Sequence, residues 1–221
     1  MLPRSTLIVG AGAIGVEFAT VYRAYGCEVT LVEYLPRLLP LEDEELGAEL
    51  GRSFRRRGIT MLTNAKVDGA TVSGNRVQVR LSSVSREGAE APQTLEVDRV
   101  LVGAGFIPNS EQLGLEALGV ATERGFITVD DRMQTNVPGI YAVGDVTGKL
   151  PLAHTAFAQG ELAAEAIAGH DPRPLDHLAI PRCTYLAVGR LVHPLLFQPG
   201  SATAATQRTA GASRHAPHRL G

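Results

Sequence analysis

The sequence predicts an α/β fold with a parallel sheet, and three observations carry that expectation. Leu7, Ile8 and Val9 form an apolar run without polar alternation, as in a strand buried on both faces of a parallel sheet. A glycine-rich turn, Gly10 to Gly15, follows at once and opens a stretch with helical spacing. That stretch leads to a second apolar run, Glu28 to Val32, so that strand, turn, helix and strand make a βαβ unit.

Within this unit the three glycines have separate tasks. Gly10 permits the sharp turn after the strand, Gly12 leaves room for a pyrophosphate to approach the backbone, and Gly15 lets the helix pack closely on the strand. The free amides and dipole of the helix N-terminus, at Ala13 and Ile14, suit a phosphate. The helix places Ile14, Phe18, Val21, Tyr22 and Tyr25 on one apolar stripe, the face such a helix turns to its core, and Gly26 ends it. The second strand ends in Glu33, 18 positions beyond Gly15. A carboxylate there accepts hydrogen bonds from ribose hydroxyls and repels a 2'-phosphate, so the expected ligand is NAD rather than NADP.

After the proline-bounded loop Tyr34 to Pro40, a helix is expected from about Glu42 to Arg57. Acidic Glu42 to Glu45 crowd its first turn and Arg52, Arg55, Arg56 and Arg57 its last, matching the helix dipole at both ends, while Leu46, Leu50 and Phe54 form its apolar stripe. The arginines read as a solvated helix end rather than a phosphate site. Ile59 to Leu62 reads as a third parallel strand. The period then changes. Lys66 to Val72, Arg76 to Ser82 and Thr94 to Val97 suggest an antiparallel meander, with turns at Ser73-Gly74-Asn75 and Arg86-Glu87-Gly88. Arg99 to Val102 reads as a strand returning beside the first, ending at Gly103-Ala104-Gly105, where the backbone can approach the cofactor again.

From Ile107 the chain enters a different unit. Phe126 to Val129 reads as a small strand, and Gly139 to Val143 as a buried strand ending in Gly144-Asp145. Asp145 is then either a ligand-facing carboxylate at a sheet edge or an ordinary turn aspartate. An alanine-rich helix is expected over about Thr155 to Ala168, with His154 at its N-terminus. A lone histidine there is more often structural than catalytic. Pro172 and Pro174 mark a linker, and Ile180 to Tyr185 the start of another domain. From Leu186 to Gly221 there is no aspartate, glutamate or lysine, a composition that builds no patterned core, so disorder is expected.

Composition excludes several classes. Across 221 residues the net charge is only -2, which points neither to nucleic acid nor to an acidic partner surface. No apolar run is long enough for a bilayer, and the segment after Met1 lacks the zones of a signal peptide, so the expected location is the cytoplasm. Cys27 and Cys183 are the only cysteines and have no metal or redox spacing, which makes them two reduced thiols.

Seven segments together resemble the dihydrolipoyl dehydrogenases, flavin-dependent pyridine nucleotide-disulfide oxidoreductases. They are IVGAGAIGVEF at Ile8 to Phe18, VTLVEYLPRLLP at Val29 to Pro40, EDEELGAELGRSFRRRGI at Glu42 to Ile59, VGAGFIPN at Val102 to Asn109, PGIYAVGDV at Pro138 to Val146, PLAHTAFAQGE at Pro151 to Glu161 and IPRCTY at Ile180 to Tyr185. The resemblance implies a Rossmann-like NAD-binding domain with an antiparallel meander over 1–112, the closing segment of an FAD-binding domain over 113–171, a linker and the start of an interface domain over 172–185, and an aberrant, disordered tail over 186–221. It implies NAD and FAD as cofactors. Gly10, Gly12, Ala13, Ile14 and Gly15 resemble the NAD pyrophosphate turn, Glu17 the acid near the nicotinamide, Glu33 the ribose acid, and Val67 and Gly105 backbone neighbours of that cofactor. Asp145 resembles the residue that bonds the ribityl chain of FAD, with Leu152, Ala153 and His154 beside the flavin ring. Phe106 departs from the pattern, standing where an arginine is common.

The family carries a first FAD-binding βαβ unit with a CxxxxC redox pair, and a dimer-forming interface domain that supplies a His-Glu base. The sequence matches neither, so the expectation is an internal fragment without catalytic residues, its end out of register with the ancestral protein. Two functions compete. One is the family reaction, electron transfer from dihydrolipoamide through FAD to NAD, with missing parts supplied by a second chain. The other is an inactive NAD-binding module or remnant.

Overall fold

A computed structural model describes residues 2–84 and 92–186. These divide into two compact units, 2–105 with 183–186, and Phe106–Arg182. The turn expected at Arg86-Glu87-Gly88 and the tail from 187 onward lie outside the described residues.

The first unit is built in three layers. Its middle layer is a parallel sheet of β1 (Ser5–Val9), β2 (Glu28–Val32), β3 (Thr60–Leu62) and β7 (Arg99–Val102), in the order β3-β2-β1-β7. Ile8 pairs with Leu31 and Leu101 in register, so one face of the sheet is continuously aliphatic across its centre. Helices α1 (Ala13–Ala24) and α2 (Glu44–Arg56) cover that face, where Ile8, Val16, Ala19, Leu31, Leu50 and Phe54 are all buried. Leu7 and Val32 look the other way. They pack with Val79, Leu81 and Val97 of an antiparallel meander of β4 (Ala65–Ser73), β5 (Arg76–Ser83) and β6 (Gln93–Val97), in the order β4-β5-β6. The register of β4 against β5 shifts between Val67 and Gly69, a bulge beside the guanidinium of Arg80. The fold is therefore the α/β class expected, with the meander as its second covering layer.

The orientation of α1 differs from expectation. The residues it buries are Gly15, Val16, Ala19 and Thr20, whereas Ile14, Phe18, Val21 and Tyr25 of the apolar stripe are exposed and only Tyr22 packs partly against the core. The cause is steric. The glycine turn brings the helix so close to β1 that only small residues fit beneath it, and the larger stripe is left outward. Helix α2 starts at Glu44 rather than Glu42, with Glu44 and Glu45 in its first turn, Arg55 and Arg56 in its last, and Leu50 and Phe54 of the expected stripe buried; Asp43 caps its N-terminus by accepting from the Glu45 amide at 2.9 Å.

The second unit holds a two-stranded ribbon, β8 (Thr122–Glu123) with β9 (Phe126–Ile127), and helix α3 (Ala153–Ile167). Its core gathers Val120, Ile127, Val129, Met133, Ala142, Leu162 and Ala163. Gly139 to Val143 is not the buried strand expected. It makes a single bridge, Tyr141 with Gln134, and Val143 is exposed. Gly139 and Gly144, both at positive φ, interrupt the extended backbone before a ladder can form. Helix α3 also begins two residues earlier than expected, at Ala153, so that His154 lies inside its first turn.

Candidate nucleotide site

The site is assembled at the carboxyl ends of β1, β2 and β7. Gly10 leaves β1 at φ 98°, its amide donating to the carbonyl of Val32 at 2.8 Å, while the Gly103 amide after β7 donates to Val9 at 2.8 Å. The two glycine segments touch. A Cβ on Gly10 would stand 2.6 Å from the Gly103 carbonyl oxygen, and one on Gly15 would run into the Gly10 carbonyl. Both are therefore glycines for reasons internal to the protein. Gly12 is different: a Cβ there would meet nothing within 4 Å, and its φ of -71° suits any residue. Gly12 is also the N-cap of α1 and brings no side-chain cap, and of the first residues of the helix Ala13 and Ile14 are exposed while Gly15 is buried. Such an end attracts an anion through its amides and dipole together.

Glu33, immediately after β2, is buried at 7% exposure and its carboxylate is engaged twice. Oε2 accepts from the Ala11 amide at 2.6 Å and Oε1 from the Leu35 amide at 2.8 Å. The carboxylate ties the turn after β1 to the loop after β2. Each oxygen keeps a second lone pair for a further donor. The sequence placed Glu33 at this corner, but its role in holding the turn could not be read from spacing, since the partners are backbone amides. Further along α1, Glu17 accepts from the amide of Tyr185 at 2.7 Å, and Leu186 packs beside the helices. The short segment 183–186 thus lies along α1, a contact across 168 positions that no local pattern announces. Val67 sits half-buried in β4 just before its bulge, and Gly105 is exposed at φ 123° with open space around it. The structure so brings Gly10, Gly12, Ala13, Ile14, Gly15 and Glu33 together at one corner.

The remaining candidates belong to the second unit. Asp145 is exposed and opens a 3-10 turn, Asp145–Thr147, at the edge of a cleft of about 330 Å³ that Ile107, Pro108 and Pro151 also line. Leu152 is the N-cap of α3 and has no side-chain cap, Ala153 is exposed, and the Nε2 of exposed His154 lies 2.8 Å from the Pro181 carbonyl. A carbonyl only accepts, so that nitrogen carries the proton. Among the described residues no cluster of three or more His, Cys, Asp or Glu could hold a metal ion, and neither Cys27 nor Cys183 is in a disulfide.

A parallel sheet with a glycine turn feeding a helix, backed by a meander, is the α/β architecture of the Rossmann class. The profile of the pyridine nucleotide-disulphide oxidoreductases matches residues 1–160, and the chain belongs to that family. It is 48% identical over 184 residues to a dihydrolipoyl dehydrogenase of Chlorobaculum tepidum, covering 83% of this chain and 38% of that protein. The dihydrolipoyl dehydrogenase of Mycobacterium leprae is 50% identical over 186 residues, covering 83% and 39%. Among solved structures, LpdA of Mycobacterium tuberculosis superposes with a TM-score of 0.76 at 33% identity, covering 84% of this chain and 39% of that one. The HOCl-induced flavoprotein disulfide reductase RclA of Escherichia coli gives 0.72 at 31%, covering 83% and 41%. The chain spans about two fifths of the length of these relatives. The family's members use FAD and NAD(P), and no helix among the described residues is long and apolar enough to cross a membrane.

Proposed function

We propose that this chain supplies the NAD-holding part of a dihydrolipoyl dehydrogenase-type oxidoreductase, in which electrons pass from dihydrolipoamide through FAD to NAD. The observation that carries the reading is the open end of α1, where the position that needs no glycine for the protein's own sake, Gly12, is a glycine facing free space. In this reading the amides of Gly12, Ala13 and Ile14 hold the pyrophosphate, and Gly10 and Gly15 keep the turn tight beneath it. Glu33 accepts the adenine ribose hydroxyls with its remaining lone pairs, Val67 and Gly105 border the cofactor with their backbones, and Glu17 stands toward the nicotinamide end. Asp145 accepts from the ribityl hydroxyls of FAD, with Leu152, Ala153 and His154 along the ring. The flavin, when bound, supplies the hydride that NAD accepts. A second chain, or further sequence, provides the disulfide and the dimer interface, and the cytoplasm suits two cysteines that form no disulfide with each other.

The test is a visible spectrum of the purified chain with calorimetric titration of NADH. Flavin bands together with NADH binding support the whole reading. NADH binding by a colourless protein leaves the NAD module alone, and no NADH binding overturns the proposal. The nucleotide preference is tested in Glu33→Arg. Because Glu33 also ties down Ala11, absolute affinities fall for both nucleotides, and the decisive quantity is their ratio. The affinity for NADP relative to NAD should rise at least tenfold, since a guanidinium welcomes the 2'-phosphate that a carboxylate repels. An unchanged ratio removes Glu33 from the ribose.

A further inference from the structure

We propose that Gln159 is a positioning residue that sets the place of Asp145 by closing the loop Gly144 to Lys149 from beneath; this rests on Asp145 serving FAD as just described. Gln159 lies mid-way along α3 and is fully buried, at 0% exposure. Its Oε1 accepts from the Gly144 amide at 2.6 Å, and its Nε2 donates to the Lys149 carbonyl at 3.3 Å. One planar group therefore fastens both ends of a six-residue loop. Within the loop, Thr147 Oγ1 donates to the Gly144 carbonyl at 2.8 Å and the Gly148 amide donates to Asp145 at 3.0 Å, so fixing the two ends fixes the turn between them.

The loop's own bonds, from Thr147 to the Gly144 carbonyl and from the Lys149 amide to Thr147 Oγ1 at 3.3 Å, shape the turn but do not fasten it to α3. Gly144 adopts φ 80° and Gly148 φ 68°, conformations that a free loop of this composition leaves readily. Helix α3 also packs directly below, where a Cβ on Gly144 would lie 3.5 Å from that of Ala156, one turn before Gln159. The arrangement needs an acceptor and a donor on one short side chain. Leucine offers neither. Glutamate offers both only while protonated, and burial keeps it protonated to higher pH than in water. The pattern gives a test that a general packing role does not share.

The wild-type chain, Gln159→Leu, Gln159→Glu and Asp145→Asn are titrated with FAD by flavin fluorescence between pH 5.5 and 8.5, with far-UV circular dichroism to confirm the fold and amide exchange at Gly144. Gln159→Leu should bind FAD at least tenfold more weakly at every pH and lose protection at Gly144. Gln159→Glu should match wild type at pH 5.5 and fall at least tenfold by pH 8.5, while wild type stays flat. If Asp145→Asn weakens FAD but both Gln159 variants bind like wild type at all pH values, the positioning role is overturned. If Asp145→Asn leaves FAD affinity unchanged, or the wild-type chain takes up no FAD, the reading of Asp145 fails instead. Exchange at Gly144 then decides on Gln159 alone, and unaltered protection in Gln159→Leu overturns its hold on the loop.

Discussion

Gly12 and Gly15 lie one helical turn apart, and their surroundings give them opposite sensitivities. A Cβ on Gly15 collides with backbone that cannot give way, the Gly10 carbonyl, whereas one on Gly12 enters open space at an ordinary φ. Gly15→Ala should therefore cost about 1–3 kcal/mol in urea unfolding, the usual range for overpacking a close contact. Gly12→Ala should leave stability within about 0.5 kcal/mol of wild type, as at an unstrained surface position, while NADH affinity falls at least tenfold. Equal stability losses in both variants would mean that Gly12 serves the fold and not a ligand. This part of the site was legible in the sequence because the sterics are written in which residues lack a Cβ. What Glu33 does for the turn was not, because a side chain's bond to a backbone amide leaves no mark on the partner's identity.

At the scale of elements, the parallel strands could be recognised from apolar runs without alternation, and the meander from a change of period. The facing of α1 could not. Periodicity reports that a helix has an apolar stripe but not whether the stripe or the small-residue side meets the sheet, and here closeness to β1 decides for Gly15, Val16 and Ala19. The joint between meander and sheet rests on Asp98, between β6 and β7. Its carboxylate accepts from the Arg4 amide at 2.8 Å at the start of β1, with Ser5 adjoining and Arg4 and Arg76 nearby, and these hold its pKa below the ordinary aspartate value. Asp68 in β4 is lowered likewise, through Ser82 and Lys66. A carboxyl whose folded pKa is depressed stabilises the protein above its unfolded pKa, about 3.9, and that contribution disappears as pH falls through the lower folded value. The urea midpoint should thus decline below about pH 4, and Asp98→Asn should lower the midpoint at pH 7 while flattening the decline. A variant whose midpoint falls with acid as steeply as wild type would show that Asp98 does not link these strands.

For the whole molecule, each unit carries its own core: the clusters around Ile8 and Leu7 belong to the first, and the cluster around Met133 to the second. The change of unit near Ile107 was visible as a break in pattern, but the return of 183–186 to α1 was not, because one backbone amide and one leucine decide it. A unit with its own core and every residue of the nucleotide corner should fold without the rest. Residues 1–105 expressed alone should give a single cooperative thermal transition and bind NADH within about threefold of the full chain, a difference of less than about 0.7 kcal/mol. The piece also lacks the Tyr185 amide that occupies Glu17, so Glu17→Gln separates the two effects. If the loss of segment 183–186 matters only through Glu17, the substitution should change NADH affinity more in the short chain than in the full one. A short chain that unfolds without cooperativity, or binds more than tenfold more weakly, would mean that the nucleotide corner depends on residues beyond its own unit's 2–105 segment.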